Sequence, residues 1–223
     1  MAMCSSSGLA RAVVVTPELQ EEVIRGAATR GDLHLAAKHI MEAYGREIYM
    51  FLHSRLRNQE LAADVFGDFT EDLWRGLAGF RWECSSRAWA YTLARHAASR
   101  GIRKARRRGA RDVPLSRAGP ISEIAERIRT DTSLMRLTAK RQQMSELRDQ
   151  LPPLEQTLLL LRVNRNLPWR DIARIMATGS LEAALAMAPQ DLDAEASRLR
   201  KRFQKAKEKL RRMALAAGLL PEN

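Results

Sequence analysis

Residues 85–108 read SSRAWAYTLARHAASRGIRKARRR, and this stretch decides the fold. Trp89, Leu93 and Ala97 recur every fourth residue and Ile102 extends the series, which is the period of one helical face. Ser85 or Ser86 stands where such a helix needs a side-chain oxygen for its first free N–H groups. The helix ends in Arg103, Lys104, Arg106, Arg107 and Arg108. Gly109, Pro114, Gly119 and Pro120 follow and mark a linker, with a short helix expected near Ile121 to Ile128.

The same period runs outward in both directions. Pro17 to about Arg57 reads as two helices, punctuated at Gly31 and Asp32; Leu35, Ile40, Tyr44, Ile48, Phe51 and Leu52 share one broad face. A third helix passes through Leu61, Val65, Phe69 and Leu73, with Asp64, Asp68, Glu71 and Asp72 on its other sides, and Gly76 and Gly79 break it. Beyond the linker, a polar helix through Leu134, Leu137, Met144 and Leu147 precedes Leu151-Pro152-Pro153, where a new helix starts. Its stripe is Leu154, Leu158 and Leu161. A short helix holds Ile172, Ala173, Ile175 and Met176. The last helix, with Asp191 or Asp193 expected as its cap, aligns Leu199, Phe203, Ala206 and Leu210 and surrounds them with Arg and Lys. The expected fold is all-α: a mobile tail over 1–16, a first small helical domain over 17–108, a flexible linker over 109–133, and a second domain over 134–223.

Composition narrows the function. Hydrophobic residues are 45% and charged ones 29% of 223 residues, which suffices for two packed cores. The formal charge of +12 and pI near 10.6 favour a polyanionic partner, nucleic acid ahead of an acidic membrane. No run approaches the roughly 20 apolar residues that span a bilayer, and no secretory leader is evident, so a cytoplasmic location is expected. Cys4 and Cys84 lie too far apart in sequence to frame a disulfide scaffold or a metal cluster. No paired catalytic carboxylates, nucleophile motif or phosphate-cradling glycine loop is present, and no cofactor or metal is expected. His34, His39, His53 and His96 read as structural or surface residues.

Two constellations remain. The segment Leu151 to Met176 followed by the basic helix resembles a helix-turn-helix, whose cations opposite a buried stripe can meet phosphates while those near its start reach base edges. A solvated basic face on an ordinary bundle helix is the plainer alternative. Around residue 85, Trp82, Trp89 and Tyr91 precede a basic run, as an unstacked single-stranded base requires. The spacing of Trp89 with Leu93 and Ala97 favours a core role for Trp89 and leaves Trp82 open.

These residues resemble a known family, the sigma factors of bacterial RNA polymerase, in the small two-domain extracytoplasmic-function group. The resemblance covers roughly 36–108 and 136–213. Phe80 to His96 looks like the loop and helix that open and read the minus-ten element, which implies DNA contacts at Trp82, Glu83, Ser85, Ser86, Arg87, Arg95, His96, Arg100, Arg103 and Lys104. Asp64, Asp68, Glu71 and Trp74 fall in the helix that in the family docks on the polymerase clamp helices. Leu151 to Ala173 looks like the fourth region, and Arg202 to Lys207 like its recognition helix, implying minus-thirty-five contacts at Ser197, Arg198, Arg200, Lys201, Arg202 and Lys205. The implied partners are core RNA polymerase, promoter DNA and an anti-sigma factor, and the implied role is promoter selection and melting without enzymatic activity. The sequence departs from the family at Trp82, usually Gly; Gly67, usually Gln; His96, usually Asn; and Arg100, usually an acid. About sixteen residues separate Ala177 from Asp193, where such turns take three or four. Leu181 to Ala188, bounded by Ser180 and Pro189, is expected to form an extra short helix there. A stand-alone helix-turn-helix regulator using only the second half, and an RNA-binding adaptor using Arg103 to Arg111, are the alternatives.

Overall fold

The structure, a computed structural model, describes residues 16–108, 121–133 and 139–220. Among these there are ten α-helices and no strand, which is the all-α architecture that the periodicity dictates. The expected tail over 1–16 lies, but for Thr16, outside the described residues.

Each early helix starts on a short polar side chain. Thr16 caps α1 (Pro17–Thr29), with its hydroxyl accepting from the Leu19 N–H at 3.3 Å and proline in the first turn. Asp32 caps α2 (Leu33–Leu56) by accepting from the Leu35 N–H at 2.9 Å. Asn58 caps α3 (Gln59–Gly76) by accepting from the Leu61 N–H at 2.8 Å. A 3₁₀ turn over Leu77–Gly79 leads through residues 80–85 into α4 (Ser86–Arg108). The stripes of α2, α3 and α4 meet in one core built on Ile40, Phe51, Val65, Phe69, Tyr91 and Leu93. Trp89 is only 2% exposed and stacks on Phe80 with centroids 4.5 Å apart, so it is core. Gly101 permits the close approach of α4 to α3: a Cβ there would lie 2.4 Å from Val65 Cγ2.

The second part of the expected linker is ordered. It forms α5 (Ser122–Ser133), longer than the short helix anticipated and packed on α2 and α3. Ile121, Ala125 and Ile128, spaced four and three apart, supply the inward stripe. Gly45 of α2 makes room for it, since a Cβ there would lie 2.5 Å from Ile128 Cδ1.

The second half contains α6 (Ala139–Asp149), α7 (Pro153–Leu159), α8 (Trp169–Met176), α9 (Leu181–Leu185) and α10 (Pro189–Ala216). Leu134 and Leu137, expected in α6, lie outside the described residues. A π-helical turn over Leu160–Asn164 extends α7. The last helix starts earlier than expected. Ala188 occupies its cap position and Pro189 its first turn, because proline has no N–H to satisfy there and its fixed φ suits a helix start. Leu192, Ala196, Leu199, Phe203 and Ala206 face α7 and α8, while Leu210 is only partly buried. No helix among the described residues is long and apolar enough to cross a membrane.

The halves touch. The central part of the contact sets α8 and α9 against α4. Around it, Arg55 donates to Thr157 Oγ1 at 3.2 Å, Arg57 pairs with Asp149 at 2.9 Å, and Arg165 donates to the Glu47 carbonyl at 3.3 Å.

Candidate nucleic-acid interface

The start of α4 is fixed from inside the chain and from far away in sequence. Ser85 is the local cap, its Oγ accepting from the Ala88 N–H at 3.0 Å. The carboxylate of Glu21, on α1, accepts from Ser86 N–H at 2.7 Å, Ser86 Oγ at 2.9 Å and Arg87 N–H at 3.1 Å. A negative charge at a helix N-terminus meets the free N–H groups and the positive end of the helix dipole. Tyr44 donates its hydroxyl to the same carboxylate at 3.1 Å, and burial, with Glu21 next, raises the pKa of that hydroxyl. Arg87 forks onto Glu47 with bonds of 2.7 and 2.8 Å. Ser86 is fully buried and Arg87 half-buried, so both serve the fold. Glu21 and Glu47 have no local sequence signal; their contacts close loops of many tens of residues.

The link before α4 holds Trp82 in the left-handed region at φ 60°. That backbone favours glycine, the residue that the resemblance leads one to expect here, and Trp82 adopts it nonetheless. The Trp82 ring lies 4.6 Å from Phe80, with the Arg25 guanidinium 5.5 Å from its centroid, so it is partly covered. Glu83 is exposed. The Cys84 thiol is largely buried, and desolvation pushes its pKa up to about 12.

Further along α4, Arg95 donates to the Ala177 carbonyl at 2.7 Å, and burial, with Arg55 next, lowers its pKa. The His96 Nε2 is buried and finds no partner among the described residues. Burial and then Arg95 and Arg100 lower the His96 pKa. Arg100 is paired with Asp72 of α3, whose pKa is raised by burial against the opposing effect of that arginine. Arg103 and Lys104 project from the exposed end of the helix.

On α10 the expected contact residues all lie on the outer side. Ser197, Arg198, Arg200, Lys201, Arg202 and Lys205 are exposed. Three of them have neighbours: Arg198 sits 3.5 Å from Glu195, Arg200 lies 5.6 Å from the Trp169 centroid, and Arg202 is 3.7 Å from Glu155. Lys201 and Lys205 form no ion pair with another described residue. Arg170 forks onto Asp193 at 2.6 Å for each bond and ties α8 to α10. On α3, Asp64 is exposed, and Asp68, Glu71 and Trp74 are partly so. Glu71 is 2.5 Å from Arg75, and Trp74 meets His34 edge-on at 6.1 Å. The residues expected at the minus-ten element thus lie on α4 and the link before it, those expected at the minus-thirty-five element on α10, and the acidic set on α3.

What the fold and these faces define is an all-α chain with cations gathered on helices of both halves and an acidic helix that precedes both in sequence. Residues 40–108 match the family model for Sigma-70 region 2, a span from within α2 to the end of α4. That match supports a sigma-70-family factor. Searches among curated proteins and among solved structures gave no match.

Proposed function

We propose that the chain is a sigma factor of the two-domain extracytoplasmic-function group, which directs RNA polymerase to promoters and helps to melt the minus-ten DNA. The observation that carries this is the match of residues 40–108 to Sigma-70 region 2, because it takes in both the acidic α3 and the aromatic and basic approach to α4. In this reading the α3 face around Asp64 and Asp68 docks on core polymerase. The link at Trp82 and the α4 residues Ser85, Arg95, His96, Arg103 and Lys104 attend the unpaired strand, through phosphate contacts and a surface for an unstacked base. Ser86 and Arg87 shape that site from beneath, held by Glu21 and Glu47.

The second half is read as a helix-turn-helix with α10 in the major groove of the minus-thirty-five element. In this reading Ser197, Arg198, Arg200, Lys201, Arg202 and Lys205 meet that element, Lys201 and Lys205, one turn apart, through phosphates. The chain supplies binding and strand separation, and the polymerase makes the bonds. Such a factor works in the cytoplasm, and an anti-sigma factor is a fitting regulator. A stand-alone regulator would leave the match in the first half without a use.

Reconstitution with core polymerase and a genomic DNA library, followed by sequencing of transcript starts, tests both surfaces at once. Starts that share an upstream pattern are expected only when the chain is added. A chain that never co-elutes with core polymerase at low ionic strength ends this reading.

A further inference from the structure

We propose that the segment between α8 and α10 is a built-in cover for α4, lying in the free chain on the face that would receive the unpaired strand. This rests on the minus-ten reading of α4. The segment is the stretch by which the chain exceeds an ordinary helix-turn-helix turn, so packing of the motif itself does not require it.

It is built to hold a shape. Ser180 caps α9 by accepting from the Ala183 N–H at 3.1 Å, and Ala184 is fully buried. Arg174 of α8, 5% exposed, donates one nitrogen to the carbonyls of Ala184, at 3.4 Å, and of Leu185. That arginine braces the back of the segment while α9 packs on α4. At the edge of the segment the Ala177 carbonyl takes the Arg95 bond, and Asp171 of α8 lies 3.4 Å from Ser85 Oγ. Two polar groups that the minus-ten reading needs for DNA are thus engaged within the chain, and His96 is partly covered beside them.

The cover is suited to leave. The Nε of Arg95, on the α4 side of this contact, is buried without an acceptor among the described residues. Desolvated guanidinium donors left over in a contact weaken it, whereas phosphate oxygens supply charged acceptors in the geometry a guanidinium prefers. A contact made by neutral carbonyls on arginines is therefore one that a nucleic-acid backbone can displace.

The experiment uses the full chain and a fluorescein-labelled, mixed-sequence single-stranded DNA of twenty nucleotides or so, followed by anisotropy at low salt. Ala184→Glu puts a charge at a fully buried position of α9, adds no cation that would itself attract DNA, and should force the segment off. A second variant replaces residues 177–188 by a four-residue Gly/Ser turn, which removes both α9 and the Ala177 residue that engages Arg95, and decides the matter if the first fails to fold. The expected result is an affinity gain of about tenfold in either variant, the change when a chain open roughly a tenth of the time becomes open always. Adding Arg95→Ala should cancel most of that gain. Equal binding by the unaltered chain and by folded variants overturns the cover and leaves the minus-ten reading standing. Failure of every form to bind, including the one lacking the segment, overturns the minus-ten reading and the cover with it.

Discussion

Glu21→Ala removes one carboxylate and with it three bonds to the start of α4 and one to Tyr44. Hydrogen bonds to a charged group contribute roughly 1.5–3 kcal/mol each when both partners stay buried. The four share one carboxylate that is only half-buried, and water can reach part of the gap, so they do not add. Helix caps set a lower scale of about 1 kcal/mol for one lost bond. Ser86 is fully buried, however, and its N–H and hydroxyl would lose their acceptor. We therefore expect a loss of about 3 kcal/mol for Glu21→Ala and about 1–2 kcal/mol for Glu21→Gln, which keeps acceptor geometry without the charge. In a chain of this size 3 kcal/mol lowers Tm by roughly 6–12 °C. Urea unfolding followed by tryptophan fluorescence reads the change, since Trp89 lies one turn into the same helix. Ser85→Ala, a local cap, is the internal standard at about 1 kcal/mol. A Glu21→Ala protein within 0.5 kcal/mol or so of the unaltered chain would refute a clamp made by α1 on α4.

Four further outcomes follow from the same structure. Lys201→Ala and Lys205→Ala should each weaken promoter binding and reduce its salt dependence by about one unit per lost phosphate contact; unchanged slopes in titrations at several salt concentrations take α10 out of the interface. Asp64→Arg with Asp68→Arg should weaken binding to core polymerase while the far-ultraviolet dichroism and Tm stay near normal, and an unaltered affinity by co-elution returns α3 to simple charge balance. In a Cys4→Ser background, Cys84 should react with a thiol reagent at pH 8 about three orders of magnitude more slowly than a free thiol, because a pKa near 12 leaves little thiolate; rapid labelling refutes its burial. His96 is held below its ordinary pKa, so folding favours its neutral form; its contribution is complete above the unfolded value near 6.5 and is lost as pH falls through that value toward the lowered one. His96→Gln should flatten the fall of Tm between pH 7.5 and 5.5, and an identical slope in both proteins would dismiss His96 as its source.

Most of the architecture was legible because it rests on period and caps, which are local. The spacing of Trp89, Leu93 and Ala97 alone places them in the core, and Ser180 does cap α9, though that helix ends at Leu185 and not at the expected Ala188. The start of α10 departs from the expected one because Asp191 and Asp193 offer caps further in, whereas Pro189 sets the backbone before them. Glycines and prolines make the linker read as flexible around a short helix, but Ile121, Ala125 and Ile128 make a stripe that lengthens this helix and finds Gly45 some eighty residues earlier. The roles of Ser86 and Arg87 were not legible for the same reason. Each is determined by an acid in another helix, and only folding brings Glu21 and Glu47 to them. Trp82 lies between these cases: its positive φ agrees with a position that usually holds glycine, while its ring contacts with Phe80 and Arg25 arise from tertiary packing.

The seating of α5 on α2 sets the slack between the two halves. With that helix docked, the chain from its end to α6 is residues 134–138, a leash of at most roughly 20 Å when drawn taut. The two promoter elements proposed above are separated by roughly 85 Å of duplex, at 3.4 Å per base pair. Freed from Gly45 with α5 still helical, the span from 109 to 138 could pay out to roughly 80 Å, since helical residues rise only about 1.5 Å each. In the reading proposed above, the seat of Ile128 on Gly45 sets how far the two halves can part.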